Sequence, residues 1–423
     1  MSAVPVGLLP DSARFGDDGR LLIGGCDVAH LAGEHGTPLF VYDEAQLRAR
    51  CREAVDAFGE GVSYATKAFL CRAMARLAHE EGMHLDVSTG GELHVALAAG
   101  VPAEHLVLHG NNKAEWELVA ARAAGVGRTV VDSFDEIDRL ERLHAQDGRV
   151  PPVLLRVTPG VEAHTHEYVR TGQDDSKFGF TLSTGLAAEA VERARNSTAV
   201  ELVGIHAHIG SQVFVADFFA QAVAALAPWF NGLALAELSV GGGIGVAYVE
   251  GESAPTITEW GAAVRQACQD AGVTARVTAE PGRAIVADAA VTVYRVGTIK
   301  ELPGLRTYVS VDGGMSDNPR PVLYGSGYET FLVRAPQADR TRAVTVVGKH
   351  CESGDVLVRN ARVPADTQVG DLLATPVTGA YGHSMGSNYN KVLRPAVVFV
   401  RDGAARLVVR RETNDDLLTT DMG

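Results

Sequence analysis

Between residues 60 and 285 the chain alternates, eight times over, a short β-rich run with a helix-length stretch rich in Ala, Leu, Glu and Arg. The runs fall at 62–66, 84–87, 106–108, 128–131, 153–157, 203–207, 237–240 and 276–279. This rhythm predicts parallel strands with helices outside, a (β/α)8 TIM-type barrel over 36–285. An open doubly wound sheet shares the rhythm, and counting strands does not separate the two. Past residue 285 the helical pattern stops. Runs at 291–296, 307–311, 343–347 and 355–358 are β-rich, and those at 397–400 and 407–409 flank Arg401-Asp402-Gly403, a hairpin signal. Residues 286–423 are therefore expected to form a C-terminal β-barrel or sandwich domain. Residues 1–35 are expected to join it, with Leu21-Leu22-Ile23 pairing onto it.

A net charge of −14 lacks the footprint of a nucleic-acid binder. Five cysteines without a Cys-x-x-Cys pair argue against a disulfide scaffold or a zinc cluster and favour a reducing compartment. The longest uncharged stretch, 218–236, is broken by Gln221, Pro228, Asn231 and Gly232, so an amphipathic helix and loop explain it better than a membrane span. With no basic, then apolar, leader pattern at the start, a soluble cytoplasmic protein is expected.

In a barrel of this kind, function gathers at the C-terminal ends of the strands. Just past the runs stand Lys67, Ser88-Thr89-Gly90-Gly91-Glu92, His109-Gly110-Asn111-Asn112-Lys113, Asp132-Ser133 and Arg156. Further on come His206-Ala207-His208-Ile209-Gly210-Ser211-Gln212, Gly241-Gly242-Gly243-Ile244-Gly245 and Glu280-Pro281-Gly282-Arg283. Lys67 is one of only six lysines; at the mouth of an apolar strand it is either a snorkelling surface cation or an amine held for covalent chemistry. The glycine run suits backbone approach to an anion, although a tight turn explains many such runs. Neither a dinucleotide fingerprint nor a P-loop is present. Of His206 and His208, one is expected to face the barrel mouth and the other to be a hydrogen-bonded packing residue. One inward histidine with Glu280 falls short of a metal site, so no metal is expected.

A phosphate cradle, a buried lysine, an imidazole and a carboxylate together point to pyridoxal 5'-phosphate. Lys67 would hold it covalently, the glycines its phosphate, the imidazole its ring face and Glu280 its pyridine nitrogen. A carboxylate there keeps the ring a strong electron sink, which favours decarboxylation over simple racemisation.

In order along the chain, Tyr64-Ala65-Thr66-Lys67-Ala68, His109-Gly110-Asn111-Asn112-Lys113, the segment from Thr171 to Phe180, His206-Ala207-His208-Ile209-Gly210-Ser211-Gln212 and Glu280-Pro281-Gly282-Arg283 resemble the fold-type III pyridoxal-phosphate decarboxylases. Arg320-Pro321-Val322-Leu323-Tyr324, Cys351-Glu352-Ser353-Gly354-Asp355 and Gly379-Ala380-Tyr381-Gly382 extend the match towards the members acting on meso-diaminopimelate. The resemblance implies a homodimer with shared active sites, and a lyase of lysine biosynthesis that converts meso-2,6-diaminopimelate to L-lysine and carbon dioxide. By carry-over Lys67 bears the cofactor and His208 stacks on its ring. Ser211, Gly242 and Gly243, with the backbone of Glu280, Pro281, Gly282 and Arg283, hold the phosphate. Arg283, Arg320 and Tyr324 would grip the distal end of the substrate, and Glu352 would help to read its amino group. Tyr381 would reach both cofactor and substrate. Cys351, delivered from the partner subunit, would be the proton donor. Read without the resemblance, Cys351 is a small buried residue and Arg320 a surface ion pair with Asp317.

Two positions depart from the family pattern: His383 and Asn414 stand where an aromatic residue, commonly tyrosine, is expected. They bear on the substrate more than on the reaction. The alternatives are a decarboxylase of ornithine, lysine or a carrier-bound acyl substrate, a non-catalytic cofactor-binding protein on the same fold, and a phosphate-binding barrel isomerase without cofactor.

Overall fold

The computed structural model describes residues 5–17, 19–160 and 175–423. They form two compact units, one of Arg50–Val246 and Ala254–Ala284, the other of Met1–Ala49, Ala247–Ser253 and Ile285–Gly423.

The first unit is built on eight parallel strands that pair in chain order. They are β1 (Ser63–Ala65), β2 (His84–Val87), β3 (Leu106–Leu108), β4 (Arg128–Val131), β5 (Pro152–Thr158), β6 (Glu201–Ala207), β7 (Glu237–Ser239) and β8 (Arg276–Thr278). Ser63 N donates to Ala279 O at 2.9 Å and Ala65 N to Pro281 O at 3.1 Å, so the end of β8 returns to β1. That return decides for a barrel over an open sheet, because closure removes the sheet edges. Leu85, Val87, Val130, Val131, Leu154 and Leu155 are buried in the barrel strands, as a sheet covered on both faces requires. The intervening helices start and stop where their ends are satisfied. Ser133 accepts from Glu136 N at 3.3 Å at the start of Phe134–Asp147, and Gly148 ends that helix at φ 68°. Its Ile137, Leu140 and Leu143 form a buried stripe at helical spacing.

The second unit is a mixed sheet. Its strands are β9 (Ala290–Leu302), β10 (Arg306–Val311), β11 (Arg342–Val347), β12 (Val356–Val363), β13 (Leu372–Pro376), β14 (Ala396–Arg401) and β15 (Ala404–Val409). The order is β12-β11-β10-β9, then Leu39–Asp43, then β14-β15, with β13 also on β9. All five residues of Leu39–Asp43 are buried. The strand lies antiparallel to β9 and parallel to β14, so 36–49 belong with this sheet and not with the barrel, where sequence had begun it. A strand buried on both faces carries no alternation that would assign it to one sheet or the other.

Leu21–Ile23 does not pair with the large sheet. It is the middle strand of a separate three-stranded sheet with Arg14–Phe15 and Cys26–Asp27. Its side chains nevertheless enter the common core, where Leu21 and Ile23 meet Leu39, Val41, Val291, Val293 and Val398. Gly24 allows this approach, since a Cβ there would stand 2.7 Å from the Val400 carbonyl carbon. The hairpin of β14 and β15 turns on Asp402 at φ 54° and Gly403 at φ 77°, the two left-handed residues of a tight turn that matches strand twist. Residues 217–233 resolve into the helix Asp217–Phe230 and a short turn, and no described helix is long and apolar enough to cross a membrane.

Candidate active site

Just past β1 the chain makes a single 3-10 turn, Thr66–Ala68. Thr66 and Ala68 are buried, and Thr66 Oγ1 donates to Asp86 O at 2.7 Å, pinning the turn to β2. Lys67 between them is exposed, a correction to the buried lysine expected from sequence. The turn swings its side chain off the strand, where an amine can be reached. His109, His208 and Glu92 all feel its charge, which places it among the other strand-end groups.

The centre of that group is Glu280, buried at the end of β8. Its Oε2 accepts from His206 Nε2 at 3.0 Å and its Oε1 from Ser239 Oγ at 3.1 Å. His109 Nε2 lies 3.2 Å from Oε1 and 3.7 Å from Asp86 Oδ1, an electrostatic contact without an aligned hydrogen bond. Burial works to raise the Glu280 pKa, but His109 and His206 win and hold it well below the usual carboxylate range. For His109 burial favours the neutral ring, yet Asp86 and Glu280 raise its pKa. Burial lowers that of His206 despite Glu280. The arrangement is an ionised carboxylate between one imidazole that favours its proton and one that is neutral. His109, His206 and Glu280 also bring three ligand-type atoms within 4.8 Å of one another, one more group than sequence had counted.

His206 and His208 do not divide their faces as expected: residues two apart on a strand share a face. His208, one step beyond β6, accepts from Gly242 N at Nδ1, 3.1 Å away. Burial first, then the charges of Lys67 and Arg156, push its pKa well down. The ring is neutral, with its proton on Nε2 and its orientation set by the glycine loop. One of the amides expected at a phosphate, that of Gly242, is thus directed to His208.

The glycines are required by close backbone packing. A Cβ on Gly242 would stand 2.1 Å from Glu280 O, one on Gly243 2.0 Å from Gly210 O, and one on Gly282 2.9 Å from the Ala65 Cβ. Pro281 supplies the carbonyl that closes the barrel onto Ala65. Arg283 Nη2 donates to Ser211 Oγ at 2.9 Å, and Gln212 next to it is held at φ 62°.

Several of the polar strand-end residues prove to be supports. Lys113 is buried and donates to Gly110 O, Val130 O and Glu136 Oε1 at 2.6–2.7 Å. Thr89 caps the helix Gly90–Ala98, and Glu92 accepts from Ser88 N. Arg156 faces Asp132 at 3.7 Å and stacks on Phe178 at 4.2 Å, while Asp132 accepts from Gly179 N. The first four residues of the motif beginning at Thr171 lie outside the described residues.

The second unit carries the remaining candidates. Arg320 opens the short helix Arg320–Tyr324 and is buried, not the surface ion pair with Asp317. Its Nη1 donates to Tyr328 Oη at 2.5 Å and its guanidinium lies 4.1 Å from the Tyr248 ring centre. Asp317 instead accepts from Tyr294 Oη at 2.6 Å and Gly314 N at 2.8 Å. Tyr324 is half-buried. Cys351 and Glu352 stand on an exposed loop, so the small buried reading of Cys351 fails. Asp355 fastens that loop, accepting from Met315 N at 2.7 Å and His350 N at 2.9 Å. Glu352 accepts from Tyr389 Oη. Tyr381 adopts φ 60°, a left-handed backbone costly for a bulky side chain and a mark of functional positions. His383 is buried edge-on to Phe40, and burial pushes its pKa down to about 4, so it fills an aromatic's place as a neutral ring.

Residues 44–287 match the family described as pyridoxal-dependent decarboxylase, pyridoxal binding domain. The diaminopimelate decarboxylase of Corynebacterium efficiens is 45% identical over 99% of this chain and 95% of its own length. That of Bacillus subtilis is 45% identical over 98% of each. This chain belongs to the diaminopimelate decarboxylase family. Among solved structures, the M. jannaschii diaminopimelate decarboxylase in complex with L-lysine superposes with a TM-score of 0.90 at 31% identity, covering 98% of both chains. The Vibrio vulnificus lysine/ornithine decarboxylase, at 22% identity and a TM-score of 0.77, shares the fold.

The residues present fit the cofactor of this family. An exposed amine, a neutral imidazole of fixed orientation and a buried ionised acceptor stand past the ends of β1, β6 and β8. Asp86 Oδ1 and His109 Nε2 are buried there without a hydrogen-bond partner among the described residues, as expected of a pocket organised around a polar ring. Sequence gave no role to His109, Asp86, Tyr248, Tyr328 or Asp355. The first lay inside a quoted motif, whereas Tyr248 and Tyr328 lay in none.

Proposed function

We propose that this protein is a pyridoxal-phosphate-dependent carboxy-lyase that converts meso-2,6-diaminopimelate to L-lysine and carbon dioxide. The observation that carries the reading is Glu280, kept ionised between His109 and His206 in the cluster that includes Lys67. When bound, the cofactor supplies an electron sink for the bond that breaks to release carbon dioxide. Lys67 would hold it covalently, Glu280 would accept from its ring nitrogen, and His208 would cover the ring face. Ser211, Gly243 and the backbone of Glu280, Pro281, Gly282 and Arg283 would surround its phosphate, with Gly242 steadying His208.

Arg320 supports a substrate that brings a second carboxylate. It is buried, and no carboxylate of the described residues pairs with it. A buried cation without a counter-ion is costly, and a bidentate carboxylate relieves that cost. Arg283 and Tyr324 would share this task, Glu352 would read the distal amine, and Tyr381 would touch both cofactor and substrate. Cys351 Sγ would return a proton to the carbon that loses its carboxylate. Its exposure on a tied loop favours delivery to the partner across a homodimer, in a cytoplasmic enzyme.

Product analysis with meso-diaminopimelate, L-ornithine and L-lysine tests the assignment. L-lysine and carbon dioxide should form from the first alone. Turnover of only the other two would overturn the distal-carboxylate reading, and silence across the panel would point to a non-catalytic cofactor-binding protein.

A further inference from the structure

Arg320 is gripped from two directions. Tyr248, on the segment Ala247–Ser253, presents its ring face to the guanidinium at 4.1 Å. Tyr328 Oη accepts from Nη1 at 2.5 Å, and the two tyrosine rings meet edge to face at 5.3 Å and 81°. All three residues are buried, with exposures of 4% for Arg320, 3% for Tyr248 and 4% for Tyr328. Arg320 Nε is likewise buried and has no hydrogen-bond partner among the described residues.

These facts leave one edge of the guanidinium for a ligand. The plane is fixed by the Tyr248 face, and rotation within the plane is fixed by the bond from Nη1. With Nη1 committed, the side edge made by Nε and Nη2 remains, and it matches the two oxygens of a carboxylate. Phenol groups suit this duty better than carboxylates would. A carboxylate brace would neutralise the arginine and compete with an incoming anion, whereas a tyrosine orients it and leaves its positive charge available.

We propose that Tyr248 and Tyr328 are positioning residues that set specificity for a ligand carrying a distal carboxylate, by aiming the Nε–Nη2 edge of Arg320 at it. This rests on the reading of Arg320 as the distal-carboxylate anchor. L-Lysine keeps that carboxylate and cadaverine lacks it, so the pair isolates the interaction.

The test is calorimetric titration of the holoenzyme with each compound, for the wild type and for Tyr328→Phe, Tyr248→Leu and Tyr248→Phe. Loss of the Tyr328 hydroxyl should weaken L-lysine binding roughly tenfold, the scale of a hydrogen bond to a charged group, and leave cadaverine unmoved. Tyr248→Leu should weaken L-lysine binding about three- to tenfold by removing the ring face, and Tyr248→Phe should restore it. With meso-diaminopimelate the two weakened variants should raise KM and leave kcat nearly as it was. If the wild type prefers L-lysine and every variant keeps that preference, the tyrosine brace is wrong although the anchor stands. If the wild type binds the two compounds alike, the anchor itself is wrong and the brace falls with it. Equal loss of both ligands in Tyr328→Phe would mean general loosening and would also overturn the proposal.

Discussion

His206 Nε2 meets Glu280 Oε2 at 3.0 Å, and both side chains are buried at the end of the barrel strands. His206 is neutral at working pH, so this is a donated hydrogen bond and not an ion pair. Its contribution is to keep a desolvated carboxylate charged.

Removing it has a signed consequence. The depressed pKa of Glu280 means that its contribution to stability is present above the unfolded carboxylate pKa and is lost as pH falls through the folded value. In His206→Ala, burial regains ground against His109 and the Ser239 hydroxyl, so the Glu280 pKa should rise. The acid limb of kcat/KM should move up with it, together with the pH titration of the bound-cofactor absorbance. Asp86, His109, Ser239 and Arg156 also face this cluster, and the spectrum identifies the group at the ring. An unmoved acid limb and an unmoved spectrum would show that His206 does not govern Glu280.

Lys67 and Cys351 should fail differently. Lys67→Ala should abolish the covalent chromophore that borohydride fixes in the wild type. Cys351→Ala should keep the chromophore and slow turnover by about 10²–10⁴-fold, the usual worth of a positioned proton donor. Mixing the two inactive proteins should restore part of the activity if one protomer's Cys351 serves its partner. No recovery after subunit exchange would mean self-contained sites.

Asp317 offers a second pH test. Burial pushes its pKa up to about 7, against the hydrogen bonds from Tyr294 and Gly314. Its folded pKa therefore lies above that of the unfolded chain, and the native state holds the proton longer. Between about pH 4 and pH 7 this group makes stability fall as pH rises. Asp317→Asn should flatten that part of the stability profile in urea unfolding followed from pH 4 to 8. A profile that keeps its slope would place the titration elsewhere.

The barrel strands could be read in advance because each is a short run, most of them largely buried, set off by helix-length stretches. Recognition of individual site residues was less even. Lys67 and Glu280 stood out by chemical type and place, but the 3-10 turn that exposes Lys67 has no periodicity to announce it. Lys113, Thr89 and Asp132 looked like site residues because capping and bracing a barrel need the same polar groups at the same strand ends. Leu372–Pro376 and Leu39–Asp43 escaped as strands of the β unit, since neither shows alternation and their partners are remote in sequence. Tyr248 and Tyr328 escaped for a related reason: eighty residues apart, they meet each other and Arg320 only in the folded chain.

The place of Leu39–Asp43 in its sheet bears on how the chain is made. One neighbour, β9, begins some 250 residues later, and the other, β14, more than 350 residues later. During synthesis this apolar ribbon must wait, with its β14 side unpaired, until the chain has been made past residue 401. Truncations that remove β14 should then expose a sticky edge more than 350 residues upstream, and chaperone dependence should be greatest for such forms.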